Sequence, residues 1–129
     1  MSIEAKTGLV VVASHYESGG QRAEELMEAA FQSMKDRMVV PAVGSKTVWD
    51  AADAIDVCKE FKEQGVDSLT VILSTWVTDS LLYVLVHEMQ IPVVFWAVPY
   101  TETFSIGCVQ HFGSALTTHG IPYDYVYGL

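Results

Sequence analysis

Gly8-Leu9-Val10-Val11-Val12-Ala13-Ser14, followed at once by His15-Tyr16-Glu17-Ser18-Gly19-Gly20-Gln21, decides the fold. The first seven residues are apolar without alternation and rich in valine, as a strand buried on both faces requires. The next seven turn polar. Ser18 stands three residues before Gln21, the spacing of a capping box, and opens a helix that runs to about Lys35. Leu26, Met27, Ala30, Phe31 and Met34 supply its apolar stripe. A two-faced strand leading into an amphipathic helix is the first half of a β-α-β unit.

The same alternation recurs to the end of the chain. Met38–Val43 reads as the second strand, and Pro41 removes a ladder donor there, which places it at a sheet edge. Thr47 with Asp50 caps a helix that ends at about Gln64 before Gly65, with Trp49, Ala52, Ile55, Val57, Cys58 and Phe61 as its apolar pattern. Leu69–Ser74 is the third strand, and Thr78–Gln90 a helix with Leu81, Leu82, Leu85, Val86 and Met89 inward. Ile91–Val98 is the fourth strand, apolar on both parities. Thr103–His119 is the last helix, closed by Gly120, and Ile121–Tyr127 is the fifth strand, where Asp124 marks a second edge.

Such a repeat makes strands parallel and crossovers right-handed. Edge signals on strands two and five, with apolar strands between, give the order 2-1-3-4-5. The expected architecture is therefore α/β: a three-layer doubly wound parallel sheet of five strands in the flavodoxin-like order. One domain spans residues 1–129, with no internal repeat or linker. The stop directly after the fifth strand reads as the N-terminal part of a longer multidomain protein.

Composition excludes several functions. Net charge is −9 and the seven basic residues are scattered singly, which argues against nucleic acid and anionic membrane surfaces. The acidity serves solubility. No apolar run reaches the ~18 residues of a membrane span, and the first residues do not resemble a signal peptide, so a cytoplasmic location is expected. Cys58 and Cys108 fall within helices without CxxC spacing and read as reduced, buried thiols.

In a doubly wound sheet, ligands bind beyond the carboxyl ends of the strands. Three loops lie there. The first carries His15, Tyr16 and Glu17; the second carries Thr75 and Trp76; the third, Pro99-Tyr100-Thr101-Glu102, adds Tyr100 and Glu102. The first two should face each other, bringing His15 and Tyr16 near Thr75 and Trp76. Hydroxyls, an indole and an imidazole in one cleft suit a polyhydroxylated ligand such as a sugar. Alternatively, Tyr16 and Trp76 cover the end of the sheet or pack on a partner subunit. Glu102 either orients a ligand hydroxyl or favours the dipole of the helix it precedes.

Other chemistries lack residues. GxGxxG and the P-loop GK[ST] are absent, although the Gly19 and Gly20 amides at a helix start could receive a phosphate. A flavin would want a Ser/Thr run in the first loop. A phospho-acceptor receiver would want Asp where Ser74 stands. His119 falls where it can meet the last helix's C-terminal carbonyls, and His87 reads as surface or rim. No histidine pair has metal-ligand spacing, and no Ser-His-Asp or Cys-His set is present for a hydrolase. No catalytic and no metal-ligating residue is assigned.

Taken in chain order, these loops resemble the N-terminal domain of the L-fucose isomerase / L-arabinose isomerase superfamily. Ser14-His15-Tyr16 is similar to the Ser-Gln-His-Leu-Tyr-Gly stretch of arabinose isomerases, though shorter, and Thr75-Trp76 to that family's Thr-Trp loop. Gln90-Ile91-Pro92-Val93-Val94 is similar to the (Lys/Gln)-x-Pro-(Val/Leu) lead into strand four. A helix with Ser114 and a turn at Gly120 then precede a tyrosine-containing fifth strand. The resemblance covers nearly the whole chain, by short motifs. It implies an aldose–ketose isomerase that uses a divalent metal, typically Mn2+, whose carboxylate and histidine ligands come from later domains. It also implies that this domain completes the sugar pocket of a neighbouring subunit in a trimer or hexamer. By position, His15, Tyr16 and Trp76 would be lent across that interface, and the isolated domain would be inactive. The Ser-His-Tyr-Glu wording departs from the family's, so sugar specificity does not carry over. The competing reading is a stand-alone flavodoxin-like module for small-molecule binding or oligomerisation, without catalysis.

Overall fold

The computed structural model describes residues 6–17, 19–36, 40–100, 103, 105–118, 120–121 and 123–128. Its five strands are β1 (Lys6–Val12), β2 (Val40–Val43), β3 (Ser68–Leu73), β4 (Val93–Ala97) and β5 (Tyr123–Tyr127). A single 3-10 turn at Gly20–Arg22 leads into α1 (Ala23–Asp36). The other helices are α2 (Ala51–Gln64), α3 (Asp79–Met89) and α4 (Ser105–Thr118). The sheet order is β2-β1-β3-β4-β5, every pairing is parallel, and the doubly wound class read from the sequence is the observed one.

Two buried clusters lie on opposite faces of the sheet. Val10 and Val12 of β1 point into the larger one, with Leu69, Val71, Leu73, Phe95 and the inner faces of α2, α3 and α4. Leu9 and Val11 point into the smaller one, with Ile72, Val98 and only α1. A β1 apolar on both parities is thus buried on both faces, as its run of valines requires. β4 is less evenly covered. Val93, Phe95 and Ala97 are buried, whereas Val94 and Trp96, on the α1 face, are half-buried. Among the described residues no second helix shares that face with α1.

Element ends differ from expectation by a few residues, each for a local reason. The second strand's expected start at Met38 lies outside the described residues, as do the Ser18 cap and His119. The second helix was expected to include Trp49, Ala52 and Ile55 in its buried stripe. It begins after Trp49 instead, because Asp50 caps it and Asp53 reaches back to the Trp49 amide. Asp50 Oδ1 accepts from the Asp53 amide at 2.9 Å, and Asp53 Oδ2 from the Trp49 amide at 3.0 Å. The buried set Ala54, Val57, Cys58 and Phe61 fixes the helical phase and turns Ala52 and Ile55 to solvent. Gly65 ends that helix at φ 65°. Ile91 and Val98 flank β4, and Ala13 and Ser14 leave the sheet to begin the rim at the strands' C-terminal ends.

Candidate functional site

The rim at the strands' C-terminal ends is built by buried hydroxyls. Ser74, Thr75, Thr103 and Ser105 are all buried there. Thr75 Oγ1 accepts the Ser14 amide at 2.8 Å and donates to the Trp76 carbonyl at 2.9 Å. Ser74 Oγ donates to the Gly19 carbonyl at 2.7 Å. Ser105 Oγ accepts the Val98 amide at 3.0 Å and donates to the Leu73 carbonyl at 2.7 Å. Side-chain hydroxyls thereby tie together the loop ends of β1, β3 and β4 beside the backbone bonds that join them, and the buried polar groups of the rim are satisfied.

Onto this frame the first loop folds as a turn. The amides of Tyr16 and Glu17 donate back to Ser14 Oγ and O at 3.2 and 3.3 Å. The turn throws the Tyr16 side chain outward, 97% exposed, and leaves Glu17 half-buried. His15 stacks flat on Trp49, with ring centroids 4.1 Å apart and planes 8° from parallel. Trp49 comes from the β2–α2 connection, which pairs back onto β1 through the Ala13 amide to Val48 O and the Val48 amide to Val11 O. Gly20 presses on the same indole: a Cβ there would lie 2.8 Å from its edge. The phosphate reading of Gly19 and Gly20 thus meets two competing demands. Gly20 is needed for packing, and the Gly19 amide donates to Gln21 Oε1 at 3.2 Å.

The loops meet as expected along their backbones, but their side chains sort differently. Thr75, expected beside the ligand, is fully buried with its hydroxyl engaged on both sides, so it is a strut of the rim. Trp76 donates its amide to Thr103 O at 2.7 Å and packs its ring against the larger core cluster. His15 finds Trp49 rather than Trp76. Tyr100 lies half-buried against the smaller cluster, under the Arg22 guanidinium at 3.9 Å from its ring centre. Glu102 lies outside the described residues.

What remains open is a cleft of about 350 Å³ between the first loop, the β2–α2 connection and the start of α3. Tyr16 and Trp49 supply its aromatic walls, and Ser14, Asp50, Thr78 and Ser80 its polar groups. That volume is within the range of small-molecule sites. Among the described residues Asp50 is the only charged one lining it, and no Lys, Arg or His does. A phosphate or carboxylate ligand would therefore meet a like charge and no cation. Neutral ligands with hydroxyls to donate to Asp50 and a face to lay on an aromatic ring fit this wall. The sequence does not single out Trp49, Asp50, Thr78 and Ser80, because Trp49 continues a helical stripe, Asp50 reads as a cap, and Thr78 and Ser80 fall at the start of a helix. The Asp50-x-x-Asp53 spacing was the available signal.

Nucleophile and metal chemistry find no support in the described residues. Burial pushes the Cys58 and Cys108 thiols up to about 11, so both stay protonated at neutral pH. Both are free and buried. His111 pairs with Asp79 at 3.0 Å on an exposed helix surface. Among the described residues no three His, Cys, Asp or Glu side chains are grouped to hold a metal ion. No helix among them is long and apolar enough to cross a membrane. A second cleft of about 370 Å³, with Tyr83, His87, Gln90 and Ile121 in its wall, opens where β4 and β5 begin. It sits at the wrong end of the strands for a doubly wound ligand site.

Fold and rim together define a doubly wound α/β domain with an aromatic-walled cleft, carrying the Asp50 carboxylate, at its switch point. The chain matches no protein-family model, and no curated protein matches it either.

Proposed function

We propose that this chain is a sugar-binding and assembly domain of an aldose–ketose isomerase-like protein, presenting one wall of a pocket completed by a neighbouring subunit. The observation that carries the reading is the cleft itself: Tyr16 and Trp49 beside Asp50, Thr78 and Ser80, with no cation among the described residues that line it. Aldoses offer an apolar ring face for the aromatics and hydroxyls for the carboxylate and the two side-chain hydroxyls. The exposure of Tyr16 supports the shared-pocket part, since a ring with almost no contacts in its own chain is free to reach a neighbour. Divalent metal and proton-shuttling acids would be supplied from outside these residues, and the domain alone would not isomerise sugar.

Titrating the chain with L-fucose and with L-arabinose while following tryptophan emission tests the reading. Binding in the millimolar range is expected from half a pocket. It should weaken at least about fivefold in Tyr16→Ala, a change of about 1 kcal/mol, with the melting temperature unaltered. Equal affinity in the variant, or no response to either sugar at 100-fold excess over the protein and beyond, would remove the proposal.

A further inference from the structure

The two edges of the sheet are treated differently. β2 is four residues long and carries Pro41, both devices that discourage pairing. β5 is five residues, Tyr123-Asp124-Tyr125-Val126-Tyr127, with neither proline nor lysine. Its outward groups can be identified. The Gly128 amide donates to Ala97 O, so even-numbered amides at this end face β4. By the alternation of a parallel ladder, the amides and carbonyls of Tyr123, Tyr125 and Tyr127 point away from the sheet. In keeping with this, the Tyr125 amide donates to the carboxylate of Asp124 at 2.7 Å. The side chains are also uncovered: Tyr125, Val126 and Tyr127 are 49%, 47% and 55% exposed.

We propose that β5 pairs antiparallel with β5 of a second copy, about a two-fold axis through Tyr125, joining two five-stranded sheets into one. The register is self-complementary. Tyr125 faces Tyr125 of the second copy, and Tyr123 faces Tyr127, so all three outward amides and carbonyls find partners. Asp124, the only charge on the strand, falls opposite Val126. Centring the axis on Asp124 instead would oppose two carboxylates and leave Tyr127 beyond the partner strand, and centring it on Val126 would leave Tyr123 beyond it. Centring it on Tyr123 or Tyr127 would leave half of each strand unpaired. A second copy therefore fits this edge, and the Tyr125-centred register is the one that pairs all three outward residues within the strand.

The strength of the pairing follows from its size and charge. A tyrosine buries roughly 150–250 Å² when fully covered, and here only the exposed halves are gained. The interface thus falls in the small, transient class. Each copy carries a net charge of −9, so association strengthens with ionic strength. Asp124 holds the Tyr125 amide in the single copy and releases it on pairing, which makes it a guard on the edge. None of this rests on the sugar reading.

Cross-linking of the full chain with the shortest bis-maleimide tests the register, because Cys58 and Cys108 are buried and do not compete. Tyr125→Cys is expected to give a covalent dimer, increasingly so with added salt. Tyr127→Cys alone should give several-fold less, since its two copies lie four residues apart, about 14 Å. An equimolar mixture of Tyr123→Cys and Tyr127→Cys should restore the yield. In sedimentation velocity, Asp124→Ala should raise the dimer fraction. The proposal is overturned if Tyr127→Cys links as well as Tyr125→Cys, or if Tyr125→Cys and Asp124→Ala both remain monomeric in high salt with native circular dichroism.

Discussion

Gly19 is the most constrained residue of the rim. It sits at φ 111°, and a Cβ there would lie 2.5 Å from Thr103 Cγ2 and 2.9 Å from the Ser74 carbonyl. Left-handed backbone and lack of space both act against any side chain. Gly19→Ala should lower the unfolding free energy by about 1–3 kcal/mol, read as a fall in urea midpoint at constant slope. An unchanged midpoint would mean that the loop does not pack on Thr103 as described. At this scale the sequence was only partly legible. It located the rim, because serines, threonines and a diglycine cluster after the strands. It could not assign the hydroxyls, since a threonine that binds a ligand and one that accepts a neighbouring amide are spelled alike. Thr75 is the second kind, joined to Ser14 and Trp76.

Among the elements, α2 shows how a cap decides what a site contains. The Asp50 cap and the Asp53 bond to the Trp49 amide start the helix at Ala51, two residues after Trp49, which frees the indole to leave the helical stripe and receive His15. Periodicity alone placed Trp49 in the stripe, because a large apolar residue just before a helix continues its pattern. Further along, Lys46 reaches both Asp53 and Asp56 at 3.7 and 2.9 Å, and the Lys46 hydrogen bond and charge lower the Asp56 pKa. These groups are solvent-exposed, so salt screens the pair and it adds little. The cap matters more. Asp50→Ala should cost about 1 kcal/mol in chemical denaturation, whereas Asp50→Asn, which keeps an acceptor, should recover most of it. Equal losses in both would show that charge at the helix start, not the cap bond, holds the turn.

For the whole molecule, strand order was readable from two residues, Pro41 and Asp124, each of which is costly inside a sheet and tolerable at its edge. Uneven cover of the sheet was not readable. Val94, Trp96 and Val126 look like core residues in sequence, yet among the described residues they share a face with α1 alone and stay partly open. Trp96 is held there by its own indole N–H, which donates to Gly128 O at 2.8 Å. The β1 run of valines, by contrast, is covered on both faces and ends at the rim, where the cleft opens. Whether that cleft receives sugar is best measured by 15N–1H correlation spectra of the chain during titration with L-fucose and L-arabinose. Saturating shifts confined to Ser14–Glu17, Trp49, Asp50, Thr78 and Ser80 are expected. Shifts centred on Tyr83, His87 and Ile121 at the far end of the strands, or no saturable shift anywhere, would contradict the account.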